Sequence, residues 1–238
     1  MKQKEVSCCF SPALLPLFDF SKHVVVIIDI FRATSTIAAA LGNGADKIIP
    51  VDNVDECIEI GSKIQNSITA GERNGQIVEG LQMGNSPSAF PSELIEGKTL
   101  VLTTTNGTRL LHKVKEAPEV LSGAFLNLTA TANYIKAQQK DVLLACASWK
   151  DRFNLEDTLF AGALFQALGD EVFTNCDSTI AASALYDTAN SDLFGFLQKG
   201  SHFHRLEKFG LENDLRYCCQ IDQHNNCIKY DGQALLSL

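Results

Sequence analysis

HVVVIIDIFRATSTIAAALG, residues 23–42, decides the fold. His23 to Ile30 is a β-branched, apolar run closed by an acid, and it predicts a strand buried on both faces. Ala33 to Leu41 follows as a helix of small residues, with Thr34 or Ser35 near its start and Gly42 just past its end. The same alternation continues outward. Strands are expected at Asp46–Val51, Ser67–Gly71, Lys98–Thr103, Glu119–Ser122 and Asp141–Ala147. Helices are expected at Val54–Gln65, Gly107–Val114 and Leu128–Gln138. The C-terminal third reads as more helical, at Leu155–Leu168, Ser178–Ala189 and Leu193–Leu197, with a short closing strand at Cys227–Tyr230. Apolar strands separated by helices predict an α/β protein, a three-layer α/β/α arrangement around a largely parallel or mixed sheet. Residues 1–238 are expected to form a single domain, or two intergrown halves breaking near 140–150.

Composition narrows the function classes. The chain has 238 residues, 45% hydrophobic and 20% charged, enough to bury a substantial core. Its net charge of −8 argues against a general nucleic-acid binder, which needs concentrated positive charge, but leaves room for a small anion in an arginine-lined cleft. No apolar run reaches the length of a membrane span, and no secretory pattern is read in Met1 to Phe10. The eight cysteines include the adjacent pairs Cys8-Cys9 and Cys218-Cys219 and no C-x-x-C, so free thiols in a reducing cytoplasm are expected.

Four segments carry candidate chemistry. In Ile27 to Thr36, Asp29 closes a strand where open α/β sheets place ligands, and Arg32, Thr34 and Ser35 surround the start of the next helix. An acid there can hold Mg²⁺ and a guanidinium can grip phosphate oxygens. In Gly71 to Phe90, a long loop-like stretch, Glu72 and Arg73 repeat the acid–arginine pairing, and Asn85 and Ser86 sit in a tight polar turn. In Thr103 to Leu111, Thr104, Thr105, Asn106 and Gly107 present hydroxyls and backbone N–H groups to one point, with Arg109 in the first helical turn. In Cys146 to Leu164, Glu156 and Asp157 open a helix, where they either complement its dipole or supply oxygen ligands to Mg²⁺.

Other signals are weaker. Cys146 and Arg152 satisfy C-x5-R, the spacing of cysteine phosphatases, but the intervening residues include no glycine to bend a phosphate nest. A haloacid-dehalogenase D-x-D-x-T is excluded because Ile30 and Phe31 follow Asp29. His202 and His204, two apart in a run that looks helical, read as ordinary histidines, and Asp214 has no evident role.

Together these pieces resemble the 2-phosphosulfolactate phosphatase family (ComB type). The resemblance rests on DIFRATSTI at 29–37, GERNG at 71–75, GNSP at 84–87, TTTNGT at 103–108 and Glu156-Asp157 with Ala161-Gly162. It extends to Ser201-His202 through Leu206, Phe209-Gly210 and Asp214. The family's glycine-rich stretch after the strand-end cysteine is replaced here by Ser148-Trp149-Lys150-Asp151. The resemblance implies Mg²⁺-dependent hydrolysis of 2-phosphosulfolactate to 3-sulfolactate and phosphate, on a route toward coenzyme M. The alternatives are another small phosphorylated carboxylic acid as substrate, or small-anion binding without hydrolysis. It also implies an α/β/α sandwich and a homo-oligomer, a dimer being favoured. On this reading Asp29, Glu72, Glu156 and Asp157 hold Mg²⁺, and Asp29 is either ligand or nucleophile. Arg32, Arg73 and Arg109 neutralise the ester's charge. Thr34, Ser35, Asn85, Ser86 and Thr104 to Gly107 complete the site.

Overall fold

The apolar run after His23 forms strand β2 (Val24–Ile28), buried throughout. Five consecutive Val and Ile residues suit a strand covered on both faces. The computed structural model describes residues 3–73 and 76–238. β2 pairs in parallel with β7 (Glu119–Gly123) on one side and β8 (Val142–Cys146) on the other. Beyond β8 lie β1 (Lys4–Cys9) and β9 (Val172–Phe173), also parallel. A second parallel block consists of β4 (Ser67–Arg73), β6 (Thr99–Thr103) and β3 (Lys47–Pro50), with β5 (Gln76–Ile77) antiparallel at its edge. The hairpin of β10 (Ile228–Tyr230) and β11 (Leu235–Ser237) stitches the blocks together, pairing antiparallel with β7 and with β3. The result is one mixed sheet among the described residues, in the order β5-β4-β6-β3-β11-β10-β7-β2-β8-β1-β9. With its helices it makes the three-layer α/β/α arrangement that the sequence predicts.

Helix α1 (Ala33–Gly42) is buried from Ala33 to Leu41 and packs against β3, β7 and β11. Only a helix of small and apolar residues on every side can occupy such a place. Its position fits a sheet that is not flat. β6 and β2 stand five places apart, roughly 24 Å in a flat sheet. Yet a Cβ on Gly107, just after β6, would lie 3.0 Å from Asp29 Oδ2, just after β2. The sheet therefore curls, and the C-terminal ends of its two parallel blocks converge.

Helices α4 (Gly107–Val114), α5 (Leu128–Ala137) and α6 (Leu155–Leu168) follow β6, β7 and β8. α7 (Asp177–Ala189) packs on α6 so closely that a Cβ on Gly162 would fall 2.1 Å from Ala182 O. The remaining helices are α2 (Val54–Lys63), α3 (Ser92–Ile95), α8 (Leu193–Leu197), α9 (Ser201–Glu207) and α10 (Glu212–Cys218). The expected elements appear within a few residues of their expected ends. The stretch 71–91 is less irregular than expected: it contains the end of β4, the short β5 and a 3₁₀ turn at Pro87–Ala89.

Strand β1 was not expected, because Lys4, Glu5 and Ser7 break its hydropathy. Lys4 is nonetheless buried: its Nζ donates to Ile135 O, Lys136 O and Gln138 O at 3.0, 2.9 and 3.1 Å, capping the end of α5. All eight cysteines are free thiols. No helix among the described residues is long and apolar enough to cross a membrane.

Candidate active site

The converging strand ends enclose a cleft of about 530 Å³, counted out to its open mouth. One wall is acidic. Asp29 leaves β2 into a turn that its neighbours hold: its N–H donates to Thr34 Oγ1 (3.1 Å), Thr34 N–H donates to Asp29 O (2.9 Å), and Ser35 Oγ donates to Ile30 O (2.9 Å). Thr34 and Ser35 thus shape the turn and do not line the cleft. Glu72, at the end of β4, accepts at Oε1 from the Thr105 N–H (3.2 Å) and hydroxyl (2.8 Å). Thr104, Thr105 and Asn106 complete this wall. Thr104 Oγ1 accepts from the Thr108 N–H at 3.2 Å, which leaves its own O–H to donate. Gly107 backs Asp29 where a side chain would not fit. Burial, then the charges of Asp157, Glu72 and Glu156, push the Asp29 carboxyl well above the usual carboxylate range.

Arg32 forms the floor with Phe31 and Asn85. It is buried in an ion pair with Asp214, whose other oxygen accepts from the Ser86 (2.7 Å) and Ser88 (2.9 Å) hydroxyls. Ser86 therefore supports Arg32 from behind, and Asp214 is a site-building residue that sequence reading missed. Asn85 Oδ1 is buried with no hydrogen-bond partner. The other two expected arginines do not line the cleft. Arg73 donates to Thr103 Oγ1 (3.1 Å) and Glu72 O (2.7 Å), and Arg109 pairs with Asp151 at 3.1 Å on the exposed surface. Asn74 and Gly75, the end of the GERNG segment, lie outside the described residues.

The four expected metal carboxylates divide into two pairs. Asp29 and Glu72 face the cleft, whereas Asp157 and Glu156 stand behind it. Asp157 accepts from Ile30 N–H (2.9 Å), Ser148 N–H (3.0 Å) and Asn154 Nδ2 (3.0 Å), so it ties the turn after β2 to the loop after β8. Burial and the Glu156 charge push its carboxyl up to about 7. Glu156 Oε1 lies 2.5 Å from His202 Nδ1. Arg205 Nη2 lies 3.0 Å from His202 Nε2, and a guanidinium only donates. Nε2 is therefore the acceptor, the ring proton is on Nδ1, and it is given to Glu156. His202 is buried and His204 exposed, as positions two apart on a helix require.

Trp149 and Lys150, from the loop after β8, and Arg205, from α9, form the far wall. The Arg205 guanidinium lies 4.6 Å and Lys150 Nζ 4.8 Å from the Trp149 ring centroid, and the indole stacks on His202 at 6.1 Å. Ser148, Lys150 and Asp151 have φ of 56°, 53° and 59°. For residues other than glycine, that conformation costs roughly 1–2 kcal/mol each.

Cys146 is buried and outside the cleft, and a hydrogen bond of its thiol with Cys8, together with burial, pushes that thiol far up. Arg152 is exposed beyond the loop. A thiolate nucleophile of the cysteine-phosphatase type is therefore set aside.

Among the described residues, no three His, Cys, Asp or Glu side chains gather so as to hold an ion by themselves. Mg²⁺ asks for less: one or two carboxylates, the remaining positions going to water and substrate phosphate. Asp29, Glu72 and the unpartnered Asn85 Oδ1 fit that requirement, and a cation would relieve the crowding of charge that raises Asp29.

A family model described as 2-phosphosulpholactate phosphatase matches residues 9–233. A probable 2-phosphosulfolactate phosphatase of Caldanaerobacter subterraneus subsp. tengcongensis is 40% identical over 208 residues, 86% of each chain. Its namesake in Gloeobacter violaceus is 39% identical over 221 residues, 92% of each chain. That in Thermotoga maritima is 41% identical over 200 residues, covering 84% of this chain and 86% of the relative.

Proposed function

The chain belongs to the 2-phosphosulpholactate phosphatase family and is a phosphoric monoester hydrolase, and from that premise we propose that it converts 2-phosphosulfolactate to 3-sulfolactate and phosphate with the help of Mg²⁺. This is a step of the kind used toward coenzyme M. The observation that carries the reading is one cleft lined both by carboxylates, Asp29 and Glu72, and by cations, Lys150 and Arg205. An ester with a phosphoryl group and further anionic groups suits both walls at once.

Asp29, Glu72 and Asn85 Oδ1 would hold the ion, which supplies Lewis-acid polarisation of the phosphoryl group and a more acidic water. The residues themselves do the positioning. Arg32, fixed by Asp214, offers its guanidinium to phosphoryl oxygens from the floor. The Thr104 hydroxyl and the Asn106 amide donate to charge that develops there. Thr105 keeps Glu72 turned toward the cleft. Asp157 holds the two loops that carry Asp29 and Trp149 in register.

In this reading Asp29 is a ligand and water attacks. In labelled water, a single turnover should place the label in the released phosphate and none in the Asp29 carboxylate. Label in Asp29 would make it the nucleophile. The substrate is tested by comparing phosphate release from 2-phosphosulfolactate with that from other small phosphorylated carboxylic acids. The expected result is the highest kcat/KM for 2-phosphosulfolactate. A clearly higher value for another acid would reassign the substrate.

A further inference from the structure

Trp149 and Lys150 stand in the stretch where the family resemblance breaks, and the proposed phosphoryl chemistry leaves them without work. Two cations rest on one indole: the Arg205 guanidinium 4.6 Å and Lys150 Nζ 4.8 Å from the ring centroid. A tryptophan face attracts each cation, but two like charges on one ring also repel each other. Elsewhere Arg32, Arg109 and Arg216 each pair with a carboxylate. Among the described residues, neither Lys150 nor Arg205 makes such an ion pair within 4.0 Å, and Arg205 feels the Glu72 and Glu156 carboxylates only from farther off.

Arg205 is held in place rather than free to swing. Glu156 accepts from His202, His202 accepts from Arg205, and Trp149 stacks on the same imidazole. Its buried Nε has no hydrogen-bond partner. Lys150 is set toward the cleft by a backbone conformation that only glycine adopts without strain. A strained, non-glycine loop that aims a cation into a cleft invites a functional reading.

We propose that Trp149, Lys150 and Arg205 form a subsite for an oxyanion other than the phosphoryl group, a carboxylate or sulfonate carried on the ester, and that this subsite sets the enzyme's preference for such esters. The inference rests on the phosphatase reading and deepens it. An oxyanion in the cleft that both cations line accepts charge-assisted hydrogen bonds from the guanidinium and the ammonium and offsets their like charge. The phosphoryl group is then left to the acidic wall and Arg32. The loop after β8 thus becomes a specificity element.

The test compares ethyl phosphate, 2-phospholactate and 2-sulfoethyl phosphate in the unsubstituted enzyme and in Lys150→Met, which keeps the alkyl stem. The ratio of kcat/KM for a charged ester to that for ethyl phosphate should fall about tenfold or more in the variant, chiefly through KM. A fall for phospholactate alone assigns the carboxylate, for sulfoethyl phosphate alone the sulfonate, and for both a shared oxyanion site. A ratio left unchanged overturns the proposal. Trp149 is the only tryptophan of the chain, so its emission reports binding without turnover. Lactate or isethionate should change that emission saturably, with the midpoint shifted at least tenfold in Lys150→Met. If none of the esters is hydrolysed, the phosphatase reading fails while the emission still tests the subsite. Emission indifferent to both anions overturns the subsite alone.

Discussion

One wall of the cleft is made of strand ends and the other of a bent loop and a short helix. Asp29 and Thr104 to Asn106 follow β2 and β6 directly, and Glu72 is the penultimate residue of β4, so the ladder of the sheet sets their positions. Small residues do the rest: Gly107 and Ala33 let the turns after β6 and β2 touch. Trp149 and Lys150 hang on backbone with φ near +55°, and Arg205 comes from a helix of seven residues. Here the support comes from side chains, through Glu156, His202 and the indole. The first wall is rigid because the fold makes it so, and the second because a chain of hydrogen bonds does. Chemistry that is sensitive to small displacements suits the first. Selectivity suits the second, which can change its side chains without disturbing the sheet.

The difference can be broken by substitution. Asp29→Asn should lower turnover on the order of a thousandfold while circular dichroism and the unfolding midpoint stay near those of the unsubstituted protein. Near-normal turnover would remove Asp29 from the centre of the account. Asp214→Ala removes a buried carboxylate partner of the Arg32 guanidinium and should cost about 3–5 kcal/mol in urea unfolding. Gly107→Ala sets a Cβ 2.6 Å from that of Ala33 and 3.0 Å from Asp29 Oδ2, and should cost about 1–3 kcal/mol and lower kcat. On the other wall, Asp151→Gly relieves a positive φ but loosens the unfolded chain and loses the Arg109 pair. Its net effect should fall within about 1 kcal/mol of zero. Cys146→Ala is the smallest: phosphate release should stay within about twofold, because a buried thiol held protonated and outside the cleft does no chemistry.

The two walls were also unequally legible in the sequence. Asp29, Glu72 and the threonine turn announce themselves because a strand-end motif is local: the acid, the hydroxyls and the helix start lie within about ten residues. Arg205 stands 55 positions from Lys150, and Asp214 stands 182 from Arg32. No periodicity records such pairings, which only the packing of the intervening helices and strands brings about. One such pairing does leave a trace in the sequence. His202 and Arg205 are three apart, so a helix places them on one face, whereas His202 and His204 cannot share one. Arg73 and Arg109 have the right type and neighbourhood, but their side chains turn to Thr103 and Asp151, a matter of rotamer that sequence does not carry. Glu156 and Asp157 illustrate the same limit. Their place at a helix start was clear, while their partners, His202 and three donors around Ile30, were not.

The central question is whether the acidic wall works through a divalent cation. The direct measurement is phosphate release from 2-phosphosulfolactate by the purified protein, first with excess chelator and then with Mg²⁺ titrated back. The expected result is no release above background with chelator and saturable recovery with Mg²⁺, a recovery absent in Asp29→Asn. Full turnover in the presence of excess chelator would contradict it.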